Sequence, residues 1–199
     1  NAMVSMYMAS RTHETERAAA QAAEQLSAFI SGYVDEKRNA PGDDLLTELI
    51  AAEEDGEKLS TDELITTCIL LLNAGHEATV HTFGNAIKTL LETKTDPSFL
   101  SEEKIDATVE ELIRFDPPLH MFTRYAYEDM EIEGHPLKRG DQIALLLGAA
   151  NRDPAVWENP DVFDPSRPIK TNTAFGAGLH FCVGAPACAP RTETRAAYF

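Results

Sequence analysis

The stretch Phe175-Gly176-Ala177-Gly178-Leu179-His180-Phe181-Cys182-Val183-Gly184 sets one cysteine in a glycine-rich bend, between a short apolar segment and a potential helix. Glycines at 176, 178 and 184 let the backbone take φ values other residues avoid and approach a flat ligand closely. Amide N–H groups in such a bend can favour the anionic sulfur, which is the form that ligates a metal. Two further groups could do chemistry. Glu111 and Arg114 stand three residues apart, close enough to pair on a helix, although such pairs by themselves are mostly solvated surface contacts. Gly75 and Glu77 interrupt an otherwise apolar run within Ala74-Gly75-His76-Glu77-Ala78-Thr79, at a cost in helix stability and desolvation that points to a ligand packed against that turn. His76 and His81 lie five residues apart, about 140° around a helix, so they do not share a metal. His13, His120 and His135 show no ligand spacing, and Cys68 reads as a small apolar side chain.

The elements that must position these residues are mostly helical. Residues 12–38 place Leu26, Phe29, Ile30, Tyr33 and Val34 at helical spacing and stop at Asn39-Ala40-Pro41-Gly42. A short helix over 43–52 follows, then an acidic loop around Asp55-Gly56. Ser60-Thr61-Asp62-Glu63 is a capping box that opens the longest helix, expected to run to about residue 93. Ile65, Ile69, Leu70, Leu71 and Leu72 make that helix apolar on most faces, as if it passed through the middle of a larger domain. A helix over 101–115 must end at Pro117-Pro118. Beyond it, 123–127, 130–133 and 142–147 read as short strands joined by Gly134-His135-Pro136 and Lys138-Arg139-Gly140-Asp141. Prolines at 154, 160, 165 and 168 predict an ordered but irregular meander over 151–173.

Composition narrows the function classes. Thirty-three acidic against seventeen basic residues give a net charge of −16, which disfavours nucleic acid and anionic membrane surfaces as partners. The three cysteines are too few for a disulfide framework, and no signal-peptide pattern is present, so a cytoplasmic location is expected. Residues 1–2 read as a tag scar, 3–11 as a disordered leader, 12–186 as the folded part and 187–199 as a divergent tail.

In this order and spacing the pieces resemble one family, the haem-thiolate monooxygenases or cytochromes P450, of the soluble bacterial type. The cysteine loop fits the family pattern F-x-x-G-x-[HR]-x-C-x-G at Phe175, Gly178, His180, Cys182 and Gly184. Glu111 and Arg114 fit its E-x-x-R helix, and Phe163-Asp164-Pro165-Ser166-Arg167 fits the meander that supplies a second arginine. Ala74 to Thr79 fits the long central helix over the haem.

The resemblance implies a mainly α fold with a small β region: a partial cytochrome P450 fold lacking the N-terminal half and the end of the C-terminal part. It implies that Cys182 is the axial ligand to the iron of haem b, that His180 and Arg124 contact the propionates, and that Phe175 packs near the sulfur. Gly75 and Gly178 would make room for the cofactor, while Glu111, Arg114 and Arg167 would form a buried ion network bracing the meander. The catalytic assignments fall on Glu77, as the acid relaying protons, and on Thr79. Ala78 stands where the family usually has a threonine, and Thr79 is rotated about 100° from that position, which predicts altered coupling. The parent reaction would insert one oxygen atom into a small organic substrate, with electrons from a ferredoxin-like donor. Since the chain begins at what resembles the family's central portion, the helices at 12–38 and 60–93 are expected to expose apolar faces, to form a homo-oligomer through them, and to leave the chain inactive alone. Pro190 breaks the helix expected after Cys182, as a frameshifted tail would. The competing reading is a non-enzymatic helical remnant that associates through those faces and binds no haem.

Overall fold

Thr12 starts the first helix because its hydroxyl accepts from the amide of Thr15 while the Thr15 hydroxyl accepts from the amide of Thr12, at 3.3 and 2.8 Å. In this computed structural model, which describes residues 2–3, 12–54 and 59–185, the helix α1 spans His13–Asn39. Lys37 and Arg38 in its last turn complement the helix dipole, and the Ala40 amide closes onto the Glu36 carbonyl at 2.9 Å. The ammonium of Lys37 also donates to Asp44 at 2.6 Å, just before α2, Leu45–Glu54. The serine box then opens α3, Thr61–Glu92: the Ser60 amide donates to the Glu63 carboxylate at 2.8 Å and the Glu63 amide to the Ser60 hydroxyl at 3.3 Å.

The chain divides into two compact units, within 1–77 and 78–199, with the division falling inside α3. In the first, Ile30 and Val34 of α1, Ile50 of α2 and Leu64 and Ile65 of α3 form a buried core, flanked by Leu26, Leu46, Leu49, Leu59, Cys68 and Ile69. Burial raises the Cys68 thiol pKa, as expected of a side chain that packs as an apolar group. The apolar face that α3 was expected to leave uncovered is exposed. Only its first turns enter this core, and Leu70, Leu72, Val80, Phe83, Ile87 and Leu91 are exposed.

In the second unit a short turn at Pro97–Leu100 precedes α4, Ile105–Phe115. The helix begins four residues later than its sequence pattern suggests. Residues 101–104 form a separate turn closed by Lys104 N to Ser101 O at 3.0 Å, and the buried Thr108 hydroxyl reaches Lys104 O of this turn at 3.1 Å and Phe99 O of the preceding one at 2.8 Å. Asp116 caps the end, ahead of Pro117-Pro118.

Strand β1, Phe122–Tyr125, pairs antiparallel with β4, Gln142–Leu145, and between them β2, Met130–Ile132, pairs with β3, His135–Leu137. The third of these strands was not expected. Glu133 and Gly134 both take positive φ, 49° and 78°, making a two-residue turn that reverses the chain, so His135-Pro136 becomes a strand instead of a connector. An outer strand tolerates the missing proline amide. The strand expected over 142–147 stops at Leu145, and Leu147–Ala150 forms a short helix, α5. Residues 151–173 are irregular, as their prolines require. The divergent tail and the expected break at Pro190 lie outside the described residues.

A candidate cofactor loop and its buried support

Arg114 decides how this part of the molecule is held. Its side chain is 1% exposed, and all five of its N–H donors have acceptors. Nε and Nη2 grip the two oxygens of Glu111 at 2.7 Å each, the bidentate geometry that suits guanidinium to carboxylate. Nη1 donates to the carbonyls of Asn151 at 2.8 Å and Pro160 at 3.0 Å, and Nη2 also reaches Val162 O at 3.4 Å. The guanidinium lies 5.3 Å from the ring centre of the buried Trp157.

Glu111, also buried, accepts more than this one arginine. The amide of Asp164 donates to it at 3.1 Å and Nε of Arg167 at 3.3 Å. Arg167 then donates to Glu158 O at 2.7 Å, drawing the meander over the helix. Asp164 makes the local turn for this. Its carboxylate accepts from the Ser166 hydroxyl at 2.6 Å and the Ser166 amide at 2.9 Å, which holds its pKa below the usual range, the hydroxyl contributing most. The pair at 111 and 114 is therefore not a solvated surface contact, and Glu111, Arg114 and Arg167 come together as one network.

Arg152 joins the same assembly: it donates to Phe115 O at 2.8 Å and to Asp161 at 3.0 Å, and stacks 4.2 Å from the Phe115 ring centre. Lys170 donates to Val156 O at 2.8 Å. With Arg167, these side chains bind acceptors within the chain.

The cysteine loop follows from its glycines. Gly176 and Gly178 have φ of 74° and 60°, and a Cβ on Gly176 would lie 3.2 Å from His180 O, so neither position suits another residue. The turn Gly178–His180 closes with Phe181 N to Gly178 O at 2.9 Å, and the Cys182 amide returns to Phe175 O at 2.9 Å. The rings of Phe175 and Phe181 meet edge-on with centres 6.4 Å apart, bracing the two ends of the loop. Gly184 is different: a Cβ there would meet Cys182 Sγ at an ordinary 3.8 Å.

The thiol of Cys182 is free and exposed. Beside it in sequence, Leu179 is 97% and Val183 82% exposed, and a Cβ on Gly178 would meet nothing within 4 Å. A sulfur donor among apolar side chains turned to the open fits a broad, flat, largely apolar group ligated at its centre, as haem is. Among the described residues no cluster of three or more His, Cys, Asp or Glu is set to hold an ion directly.

The other sequence-derived residues are placed less closely. His180 is exposed at the end of the loop turn. Arg124, on β1, is half-buried, donates to Thr123 O at 3.0 Å and lies 5.9 Å from the Phe122 ring centre. Gly75 sits in the interior of α3 where a Cβ would touch nothing within 4 Å, so the chain's own packing does not demand a glycine. Glu77 is half-buried and Thr79 exposed on the same helix. Asn151, Asn172, Thr173 and Glu110, which tie the network to the loop, were not foreseen. A polar Asn151-Arg152-Asp153 directly after an apolar segment was their only trace in the sequence.

Comparison with known proteins agrees with this geometry. The family model described as Cytochrome P450 matches residues 103–187. The polyketide biosynthesis cytochrome P450 PksS of Bacillus subtilis strain 168 is 41% identical over 169 residues, which are 83% of this chain and 42% of that protein. Among solved structures, CalO2 superposes with a TM-score of 0.89 at 29% identity, covering 94% of this chain and 47% of the other. P450BioI in complex with hexadec-9Z-enoic acid ligated acyl carrier protein does so with a TM-score of 0.84 at 34% identity, over 92% and 48% of the two chains. The chain thus spans less than half the length of these relatives.

Proposed function

Because the chain belongs to the cytochrome P450 family, we propose that it carries the haem-ligating region of a monooxygenase that inserts one oxygen atom of dioxygen into a small organic substrate, with electrons from a ferredoxin-like donor. The observation that carries this reading is the exposed thiol of Cys182 on a loop built by Gly176 and Gly178, beside the buried Glu111, Arg114 and Arg167 network. A thiolate-ligated haem b supplies the activation of dioxygen, since the sulfur pushes electron density onto the iron. The chain's own residues serve that group. Cys182 would ligate it, His180 and Arg124 would contact its propionates, and Phe175 would pack near the sulfur and tune its exposure. Gly178 and Gly75 leave it room. Glu77 holds and passes a proton on α3, with Thr79 one residue beyond the position of Ala78. The folded part is taken as residues 12–186. No helix among the described residues is long and apolar enough to cross a membrane, and we take the protein to act in the cytoplasm.

The test is spectroscopic. Purified chain given haem, reduced and exposed to carbon monoxide should show the thiolate-ligated band. Cys182→Ser should abolish that band while leaving the unfolding free energy within about 0.5 kcal/mol of the parent, as surface substitutions do. Absence of haem uptake by the parent would reject the reading. One observation favours the alternative, a helical protein that associates without haem: Val80, Phe83, Ile87 and Leu91 recur every three to four residues along α3 and are all exposed.

A further inference from the structure

Between the arginine network and the cysteine loop runs the segment 172–174, attached through the buried side chains of Asn151, Asn172 and Glu110, outside the family motifs, and through the Thr173 hydroxyl to Leu147 O at 3.0 Å. Asn151 is fully buried, and its backbone carbonyl accepts from Arg114 Nη1 at 2.8 Å. Its side-chain oxygen accepts from the Thr173 amide at 2.8 Å and from the Thr173 hydroxyl at 2.9 Å. An amide N–H can only donate, so the oxygen of Asn151 must be the atom facing Thr173. The Nδ2 of the same side chain is then left buried with no hydrogen-bond partner among the described residues. Such an orphan donor is a cost; the side chain is oriented by the Thr173 amide and by a Thr173 hydroxyl whose one proton is shared between Asn151 Oδ1 at 2.9 Å and Leu147 O at 3.0 Å. Asn172, 4% exposed, makes a second attachment: Nδ2 donates to Glu110 on α4 at 3.3 Å, and Oδ1 accepts from the Ala174 amide at 3.0 Å.

The chain then enters the loop without slack. Thr173 O accepts from the Gly176 amide at 2.9 Å, and Phe175 O accepts from the Cys182 amide at 2.9 Å. A continuous hydrogen-bonded path therefore runs from Arg114 through Asn151 and Thr173 to Cys182.

We propose that Asn151 and Asn172 are positioning residues for the cysteine loop, two buried clasps that hang residues 172–174 from α4 and so set where Cys182 presents its sulfur. The arginine network and the loop are then one mechanical unit: disturbing the helix moves the ligand. The consequence for ligation rests on the haem reading above, whereas the mechanical link does not.

The experiment uses the full chain and two readouts. Amide hydrogen exchange at Gly176 and Cys182 should accelerate about tenfold or more in Asn151→Ala, which removes two buried acceptor contacts, with α1 amides unchanged. Thr173→Val, which deletes one hydroxyl, should accelerate the same amides less, and Thr173→Ser, which keeps it, should match the parent. In the haem-loaded, reduced chain under carbon monoxide, Asn151→Ala should lose part of the thiolate band and Thr173→Ser should retain it. Parent-like exchange at Gly176 and Cys182 in both Asn151→Ala and Thr173→Val would overturn the proposal, as would equal acceleration in α1. Should Asn151→Ala not fold, Thr173→Val and Thr173→Ser carry the comparison. A parent that takes up no haem defeats the functional reading, while the exchange readout still decides the clasp.

Discussion

Glu110 and Glu111 are adjacent on α4, and both are buried, yet they meet different surroundings. Glu111 faces two guanidinium groups, those of Arg114 and Arg167. Glu110 has the amide of Asn172, and burial pushes its carboxyl above the usual range, with Asp106 adding to the rise and Asn172 opposing it. Glu111, Arg114, Arg167 and Lys170 line the same small cavity. The sign follows from linkage. A carboxyl whose folded pKa lies above its unfolded one keeps its proton longer when folded, so its contribution to stability is complete below the unfolded value and is lost as pH rises through the folded value. Glu110→Gln keeps an acceptor for Asn172 and carries no titrating proton. It should therefore raise the urea midpoint at neutral pH relative to the parent and flatten the decline between acidic and neutral pH; a parent-like pH profile would contradict this. None of this was legible from Glu110 itself, because an acid on an amphipathic helix looks the same in sequence whether it meets water or an asparagine from 62 residues away.

At the scale of elements, α4 and the meander act as a pair. The spacing of Glu111 and Arg114 and the turn residues Asp164-Pro165-Ser166-Arg167 were readable, as were the proline stops. What binds them was not: Arg114 reaches carbonyls of residues 151, 160 and 162, and backbone acceptors leave no mark in a side-chain pattern. Arg114→Ala would leave Glu111 buried beside one remaining arginine, and removal of one partner of a buried pair costs about 3–5 kcal/mol. Chemical denaturation should show a loss of that order, and a change under about 1 kcal/mol would show that the network does not hold this unit. Arg114→Lys should recover little of it, since an ammonium cannot make the bidentate grip and reach the carbonyls together. The hairpin of β2 and β3 was missed for a related reason: two successive positive φ values at Glu133 and Gly134 depend on the pairing they enable, and only the glycine advertises them.

For the molecule as a whole, a charge of −16 and an exposed apolar stripe oppose each other. Phe83 and Leu91 are 69% and 73% exposed on α3, with Val80 and Ile87 between and beside them. Exposed apolar rows of this kind mark contact surfaces, while like charge keeps copies apart. Salt shortens the range of that repulsion to about 8 Å at 0.15 M, so self-association should rise with ionic strength. Sedimentation should show it, and the double substitution Phe83→Glu with Ile87→Lys should suppress it at every salt concentration. A monomer whose behaviour ignores salt would count against the stripe as a contact surface.

By itself the sequence determined the helical periodicities, the capping box at Ser60, the proline stops and the cysteine loop, because each depends on side chains a few residues apart. The family followed from motifs whose order is written along the chain. Tertiary structure decided which of those side chains are buried. It tied Arg114 to the carbonyls of residues 151, 160 and 162 and gave Asn151 and Asn172 their attachments. Those outcomes depend on which distant backbone amides and carbonyls arrive beside each residue, and that is a property of the packed chain.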